Sequence, residues 1–256
     1  MTETVLTLDL GNSALKLRRW RVEAGELLAL GGDRCPWDGP WRDLLETGSK
    51  TDLALIASVV AARRLTEVTE ALGAGGLEVR ANPDPGMTID CRDEFSIGRD
   101  RLFAARGAAA LVGGPAIVVD AGTALTVDAV GGQAGLPVFL GGAIAPGTAL
   151  LAGSLARGAE QLVEIEPRPG VAALGKDTRE ALLAGVIVGF RGAARELVRC
   201  VAAEAGLESS PIVLTGGGRA PLEEPSTFGT SEVRVEPDLV HLGLLAAAGF
   251  DVAWSR

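Results

Sequence analysis

No tyrosine occurs among the 256 residues, histidine occurs once and cysteine three times. The single histidine, His241, lies in DLVHLGLLAAAGF, an apolar helical pattern that gives it a packing or capping role. Zinc sites built on His/Cys clusters, and Ser or Cys nucleophiles that need a histidine base, are thereby all but excluded. Cys35, Cys91 and Cys200 are odd in number and widely spaced, the pattern of reduced thiols rather than of a disulfide framework. No stretch offers the run of about 20 uncharged apolar residues that spans a bilayer, and MTETVLTLDL lacks the regions of a signal peptide. A cytoplasmic protein with no membrane partner is expected. Lys/Arg-rich blocks are missing too, and the net charge is −9, so a nucleic-acid backbone would be repelled and no nucleic-acid partner is expected.

What is present is core material: 47% of the residues are hydrophobic, enough for one large domain or two ordinary ones. Strand patterns are read at residues 5–8, 15–22, 53–60, 77–81, 116–119, 125–130, 138–140 and 212–214. Ala- and Leu-rich helical patterns cover 65–73, 101–112, 148–162, 178–205 and 239–249. The alternation predicts an α/β fold.

The strongest organising signal is an internal repeat. TLDLGNSALKL and VVDAGTALTVD superpose without a gap, their aspartates, Asp9 and Asp120, about 110 residues apart, a domain-sized period. Each copy is a strand, an Asp-x-Gly turn and a returning strand. Two similar domains, residues 1–112 and 113–256, are expected to face a central cleft, divided near the LVGG turn at 111–114.

A carboxylate that ends a buried strand costs several kcal/mol of desolvation unless it is hydrogen-bonded or holds a cation. Either aspartate alone is explained by a turn, since Asp before Gly bonds backbone amides two residues on. Together they admit a second reading, in which glycines let backbone amides approach phosphate oxygens, Asn12, Ser13 and Thr123 add short donors, and the carboxylates hold the accompanying cations. PIVLTGGGRAPL adds a third element, a glycine turn at 215–218 (Gly216 and Gly217 at its centre) that admits a ring or phosphate beside bare backbone.

GVAALGKD, at 170–177, matches the spacing of a phosphate loop, but Asp177 stands where the magnesium hydroxyl is required, and the prolines of EIEPRPG argue against a feeding strand. The segment reads better as a helix start, with Asp177 or Thr178 as N-cap and Glu180 in the first turn, and such an N-terminus suits an anionic substrate near Thr178. In SIGRDRLFAARGAAALV, Asp100 is either the cap of a helix or a carboxylate base beside guanidinium groups.

With these residues in place the chain resembles the type III pantothenate kinases, of the acetate and sugar kinase, actin and heat-shock ATPase superfamily. The resemblance rests on DLGNSALK (9–16), IASVV (56–60), GRDR (98–101), DAGTALTVD (120–128), LGGAIAPG (140–147), LGKDT (174–178), LTGGG (214–218) and PDLVHLGLL (237–245), in the family's order. It implies two ribonuclease-H-like (actin-like ATPase) domains and ATP-dependent phosphorylation of pantothenate, the first step towards coenzyme A.

Carried over by position, Asp9, Leu10, Gly11, Asn12, Ser13, Ala14, Leu15 and Lys16 would contact ATP, with Asp9 near Mg2+, and Thr123 and the Gly216–Gly217 turn would contact ATP too. Asp120 is similar to the ligand of a monovalent cation, K+ or NH4+. Asp100 resembles the base that takes the hydroxyl proton; Gly98, Arg99 and Arg101 would hold pantothenate, as would Thr178. A homodimer is implied. Phosphoryl transfer needs in-line positioning and charge neutralisation, which a chain with one histidine can supply. Two positions depart from the family: Cys91 stands where relatives often carry tyrosine, and Ala104 where they usually carry asparagine. They motivate one alternative, a kinase for another small hydroxy acid; a second alternative, a nucleotide-binding accessory protein, is opposed by the intact Asp100.

Overall fold

The computed structural model describes residues 3–23, 26–45, 51–74, 76–133, 136–158, 162–224, 226–229 and 231–252. The chain divides into two compact units, one of Met1–Gly114, Gly132–Phe139 and Asp238–Arg256, the other of Pro115–Gly131 and Leu140–Pro237. The carboxy-terminal segment thus groups with the amino-terminal one.

The first unit is built on a five-stranded sheet. β1 (Glu3–Leu10), β2 (Ala14–Glu23) and β3 (Glu26–Pro36) form an antiparallel meander, while β4 (Leu53–Ser58) runs parallel to β1 and β5 (Glu78–Ala81) parallel to β4, giving the order β3-β2-β1-β4-β5. Residues 5–10 of β1 are all buried, as expected of a strand covered on both faces. Because side chains alternate, Leu6, Leu8 and Leu10 share one face and pack with Val68 and Leu72 of α1 (Ala62–Gly73), the crossover between β4 and β5. Val5, Thr7 and Asp9 point the other way, where α5 (Leu239–Ala247) brings His241 Nδ1 to 2.9 Å from Thr7 Oγ1. His241 is buried, the packed role its sequence context predicts.

α5 lies against α2 (Arg99–Val112) closely enough that a Cβ on Gly107 would overlap the carbonyl of Leu239, and one on Gly243 the carbonyl of Phe103. These two glycines draw the carboxy-terminal helix into the first unit.

In the second unit β7 (Ala116–Ala121) pairs antiparallel with β8 (Ala124–Gln133), which leads into β9 (Leu136–Pro146). β10 (Ile212–Thr215) runs parallel to β7, and β11 (Val233–Val235) parallel to β10. Within the first unit the start of β9, at Val138 and Phe139, pairs with β6 (Thr88–Ile89). Ile117, Val119, Leu125 and Val127 form a core with Phe190, Ala194 and Val198 of α4 (Thr178–Ala205). α3 (Thr148–Gly158) precedes it; residues 159–161 of the helix expected over 148–162 lie outside the described residues.

The repeat read from the sequence appears as two hairpins of one design. Asp9 lies between Lys16 of an antiparallel neighbour and Ala57 of a parallel one, and Asp120 between Thr126 and Thr215 in the same sense. β3, β6 and β11 carry no strand signal in the sequence reading. Among the described residues no helix is long and apolar enough to cross a membrane.

Candidate active site

Asp9 is the penultimate residue of β1 and is 4% exposed. Lys16, opposite it on β2, places Nζ 2.8 Å from Asp9 Oδ2, so the carboxylate is charge-paired. The turn between them is closed by Gly11 N–H donating to Ala14 O at 3.1 Å, and the Trp37 indole N–H donates to Gly11 O at 2.8 Å. Asn12 and Ser13 are exposed, whereas the side chains of Leu10, Ala14 and Leu15 are core residues. Those three can serve a ligand only through backbone. Ser58, at the end of β4 opposite Leu10, buries a hydroxyl oxygen that has no hydrogen-bond partner.

Asp100 stands in the first turn of α2, whose N-cap is Gly98. Its capping reading is therefore corrected: Gly98 precedes the helix, and Asp100 Oδ1 accepts the neighbouring Arg101 N–H at 2.8 Å. A Cβ on Gly98 would lie 2.5 Å from Asp100 Oδ1, so only glycine leaves the carboxylate its place. Burial raises the pKa of Asp100 above its ordinary 3.8; the Arg101 N–H opposes this, the Asp9 charge adds to it, and Arg101 and Lys16 oppose it. Asp9, Lys16, Asp100 and Arg101 thus act on one another within the first unit. The Arg101 guanidinium also lies over the Phe139 ring, 5.4 Å from its centroid. Gly98 and Arg99 flank this group, and Ala104, one turn on, is buried.

In the second unit Asp120 is half-buried near the end of β7. Gly122 N–H donates to Ala124 O at 2.9 Å to close the hairpin turn, and Gly147 N–H to Thr123 O at 3.1 Å. The glycine turn after β10 folds onto this hairpin, with Gly218 N–H donating to Ala121 O at 2.7 Å. Gly216 has φ +91°, and any Cβ there would overlap both Ala121 O and Asp120 Oδ1. Arg219 Nη1 donates to Gly216 O at 3.0 Å, fixing the turn. Asp120, Thr123, Gly216 and Gly217 are therefore gathered at the carboxy-terminal ends of the neighbouring strands β7 and β10.

Thr178 opens α4 in the same unit and is exposed. Asp177 caps that helix, its Oδ1 accepting Glu180 N–H at 2.8 Å, while Glu180 Oε2 accepts Lys176 N–H at 2.7 Å. This is the helix start expected of LGKDT, and no strand feeds residues 170–176.

Trp37, whose indole meets the Gly11 carbonyl, carries no site signal in the sequence. It follows β3, whose mostly exposed residues give no strand pattern, so no local signal places its indole beside Gly11.

The donor set is one of hard oxygens. Among the described residues no cluster of three or more His, Cys, Asp or Glu side chains is formed that could hold a metal by itself. A single carboxylate beside a glycine turn instead suits a cation that keeps its remaining ligands from phosphate and water.

The two sheets make this an α/β protein with the fold seen in sugar kinases. A Sinorhizobium meliloti protein described as a 2-dehydro-3-deoxygalactonokinase has the same fold, with a TM-score of 0.56 at 17% identity over 95% of this chain and 98% of that one. The type III pantothenate kinase family model matches residues 5–200. The type III pantothenate kinase of Thermomicrobium roseum is 31% identical over 262 residues, covering 95% of this chain and 96% of that protein. That of Akkermansia muciniphila is 37% identical over 168 residues, a match spanning 65% of this chain and 66% of that protein, just under two thirds of either. The chain belongs to the type III pantothenate kinase family.

Proposed function

We propose that this chain transfers the γ-phosphoryl group of ATP to the primary hydroxyl of pantothenate, forming 4'-phosphopantothenate and ADP. The observation that carries the reading is Asp100: a half-buried carboxylate with raised proton affinity, flanked by Arg101 and electrostatically linked to Lys16 and Asp9. As the hydroxyl oxygen bonds to phosphorus and the bond to ADP breaks, Asp100 accepts the hydroxyl proton. Arg101, with Gly98 and Arg99, holds the substrate carboxylate, and Thr178 adds a hydroxyl contact.

Backbone amides of residues 9–16, the Lys16 ammonium, Thr123 and the Gly216–Gly217 turn hold ATP. Mg2+ bound with ATP supplies charge neutralisation, and Asp9 is the carboxylate suited to it. Asp120 is the ligand proposed for K+ or NH4+. The family resemblance also supports a homodimer and two actin-like domains, with the first change of domain near 112/113 and residues 132–139 and 238–256 grouped with the first unit.

The test is ADP release by the purified protein with MgATP and pantothenate, with and without K+. Turnover that requires pantothenate and rises with K+ is expected, and its absence overturns the reading. Buried Ala104, where the resemblance implies that relatives usually carry asparagine, supports a second reading: another small hydroxy acid as substrate. A panel of such acids separates the two, since only the first reading has pantothenate clearly preferred.

A further inference from the structure

Gly11 is held on both sides. Its N–H donates to Ala14 O at 3.1 Å, and its carbonyl accepts the Trp37 indole N–H at 2.8 Å. The peptide linking Gly11 to Asn12 is planar and trans, so its C=O and N–H point in opposite directions. With the carbonyl turned to Trp37, the Asn12 N–H is turned away from it, and Asn12 is exposed. Were this peptide to flip, it would present a carbonyl oxygen where it now presents a donor, and an anion would meet repulsion instead of a hydrogen bond. Glycine makes such a flip easy.

Trp37 is itself braced. Its ring meets Trp41 edge-on, with centroids 5.9 Å apart at 75°, and the Arg64 guanidinium from α1 lies 4.4 Å above it. Trp41 is buried in the core under β1 and carries Arg42 at 4.2 Å.

We propose that Trp37 is a positioning residue for the nucleotide: its indole N–H locks the Gly11–Asn12 peptide so that the Asn12 N–H, and not the Gly11 oxygen, is offered to the polyphosphate of ATP. This rests on the reading of residues 9–16 as the ATP-binding turn. It assigns nucleotide affinity to a residue outside that turn.

The test compares wild type with Trp37→Phe, which keeps an aromatic ring under Arg64 but loses the donor, and with Trp37→His, which retains a ring N–H. Calorimetric titration with MgATP is expected to show a Kd about five- to tenfold weaker for Trp37→Phe, the scale of one lost hydrogen bond, and partial recovery in Trp37→His. The KM for pantothenate should stay near the wild-type value. A Trp37→Phe protein that melts as wild type does and binds MgATP equally well overturns the inference while leaving the kinase reading intact. A wild-type protein that binds no ATP overturns the kinase reading and the inference with it. If Trp37→Phe does not fold, wild type labelled with 15N-tryptophan decides. Of its four indole N–H resonances, at least one is expected to shift on saturation with MgATP, and none shifting overturns the inference.

Discussion

Lys16 Nζ stands 2.8 Å from Asp9 Oδ2 across the β1–β2 ladder, with the lysine side chain 44% exposed and the aspartate side chain 6%. A buried carboxylate is thus held by a cation that still reaches solvent. Removing the cation leaves the carboxylate charged and without this partner, a penalty larger than the pair's own net worth.

Lys16→Met is therefore expected to destabilise the first unit by about 1–2 kcal/mol, and adding Asp9→Asn should recover most of that loss. Urea titrations of the two single variants and the double variant measure the coupling. An additive double variant would show that the pair contributes nothing. With MgATP, Lys16→Met should also raise the KM for ATP, since the ammonium is assigned to the phosphates.

Asp100 sets activity against stability. A carboxylate whose folded-state pKa lies above its unfolded 3.8 binds more protons folded than unfolded between those values, so stability falls as pH rises through the folded pKa. At neutral pH its ionisation is a cost. Asp100→Asn should abolish turnover while raising the melting temperature at pH 7, and the gain should fade as pH falls through the folded pKa and be gone below 3.8, where both states are protonated. The acid limb of wild-type kcat/KM should lie above the ordinary carboxylate range. Unchanged stability at pH 7 in the inactive variant would show that burial does not strain this carboxylate.

The turn after β10 predicts a different failure. At Gly216 a methyl group would meet Ala121 O and Asp120 Oδ1, and the φ of +91° is itself unfavourable for alanine. Gly216→Ala should cost on the order of 1–3 kcal/mol and displace the Asp120 carboxylate. Activity measured across K+ concentrations should then lose its K+ dependence. Gly217→Ala is the control for the stability loss alone, because a Cβ there meets nothing within 4 Å. Retained K+ stimulation in Gly216→Ala would separate Asp120 from the monovalent cation.

The legibility of this molecule follows burial. β1, β2, β7 and β8 were readable because each is an apolar run flanking an Asp-x-Gly turn, and the repeat between them disclosed the two-hairpin design. β3 was not readable, because all but two of its residues are exposed and ELLALGGDRCP interrupts its pattern with a glycine pair. Losing β3 also lost Trp37, whose place depends on the register that pairs Pro36 with Ala14. The return of α5 to the first unit rests on contacts at Gly107 and Gly243 more than 100 positions apart in the chain, which no local pattern announces. Asp100 was legible as a candidate but not as a base or a cap, since that choice depends on Gly98 taking the cap.

His241 supplies the last prediction. It is buried, its Nδ1 meets Thr7 Oγ1 at 2.9 Å, and the same hydroxyl accepts the Trp20 indole N–H at 2.8 Å. Burial lowers its pKa from 6.5 to about 4, with Asp9 and Asp238 opposing the shift and Lys16 and Arg18 adding to it. Between those values the unfolded chain binds a proton that the folded chain refuses, so stability rises with pH across this window and is lost as pH falls through it. The loss attributable to His241 is on the order of 3 kcal/mol over the full window. His241→Gln, which cannot take up that proton, should be somewhat less stable than wild type at pH 7 but show a shallower decline in urea midpoint towards pH 4.5. Parallel declines in the two proteins would mean that His241 titrates alike folded and unfolded, and the buried Thr7–His241 contact would then not hold the imidazole neutral.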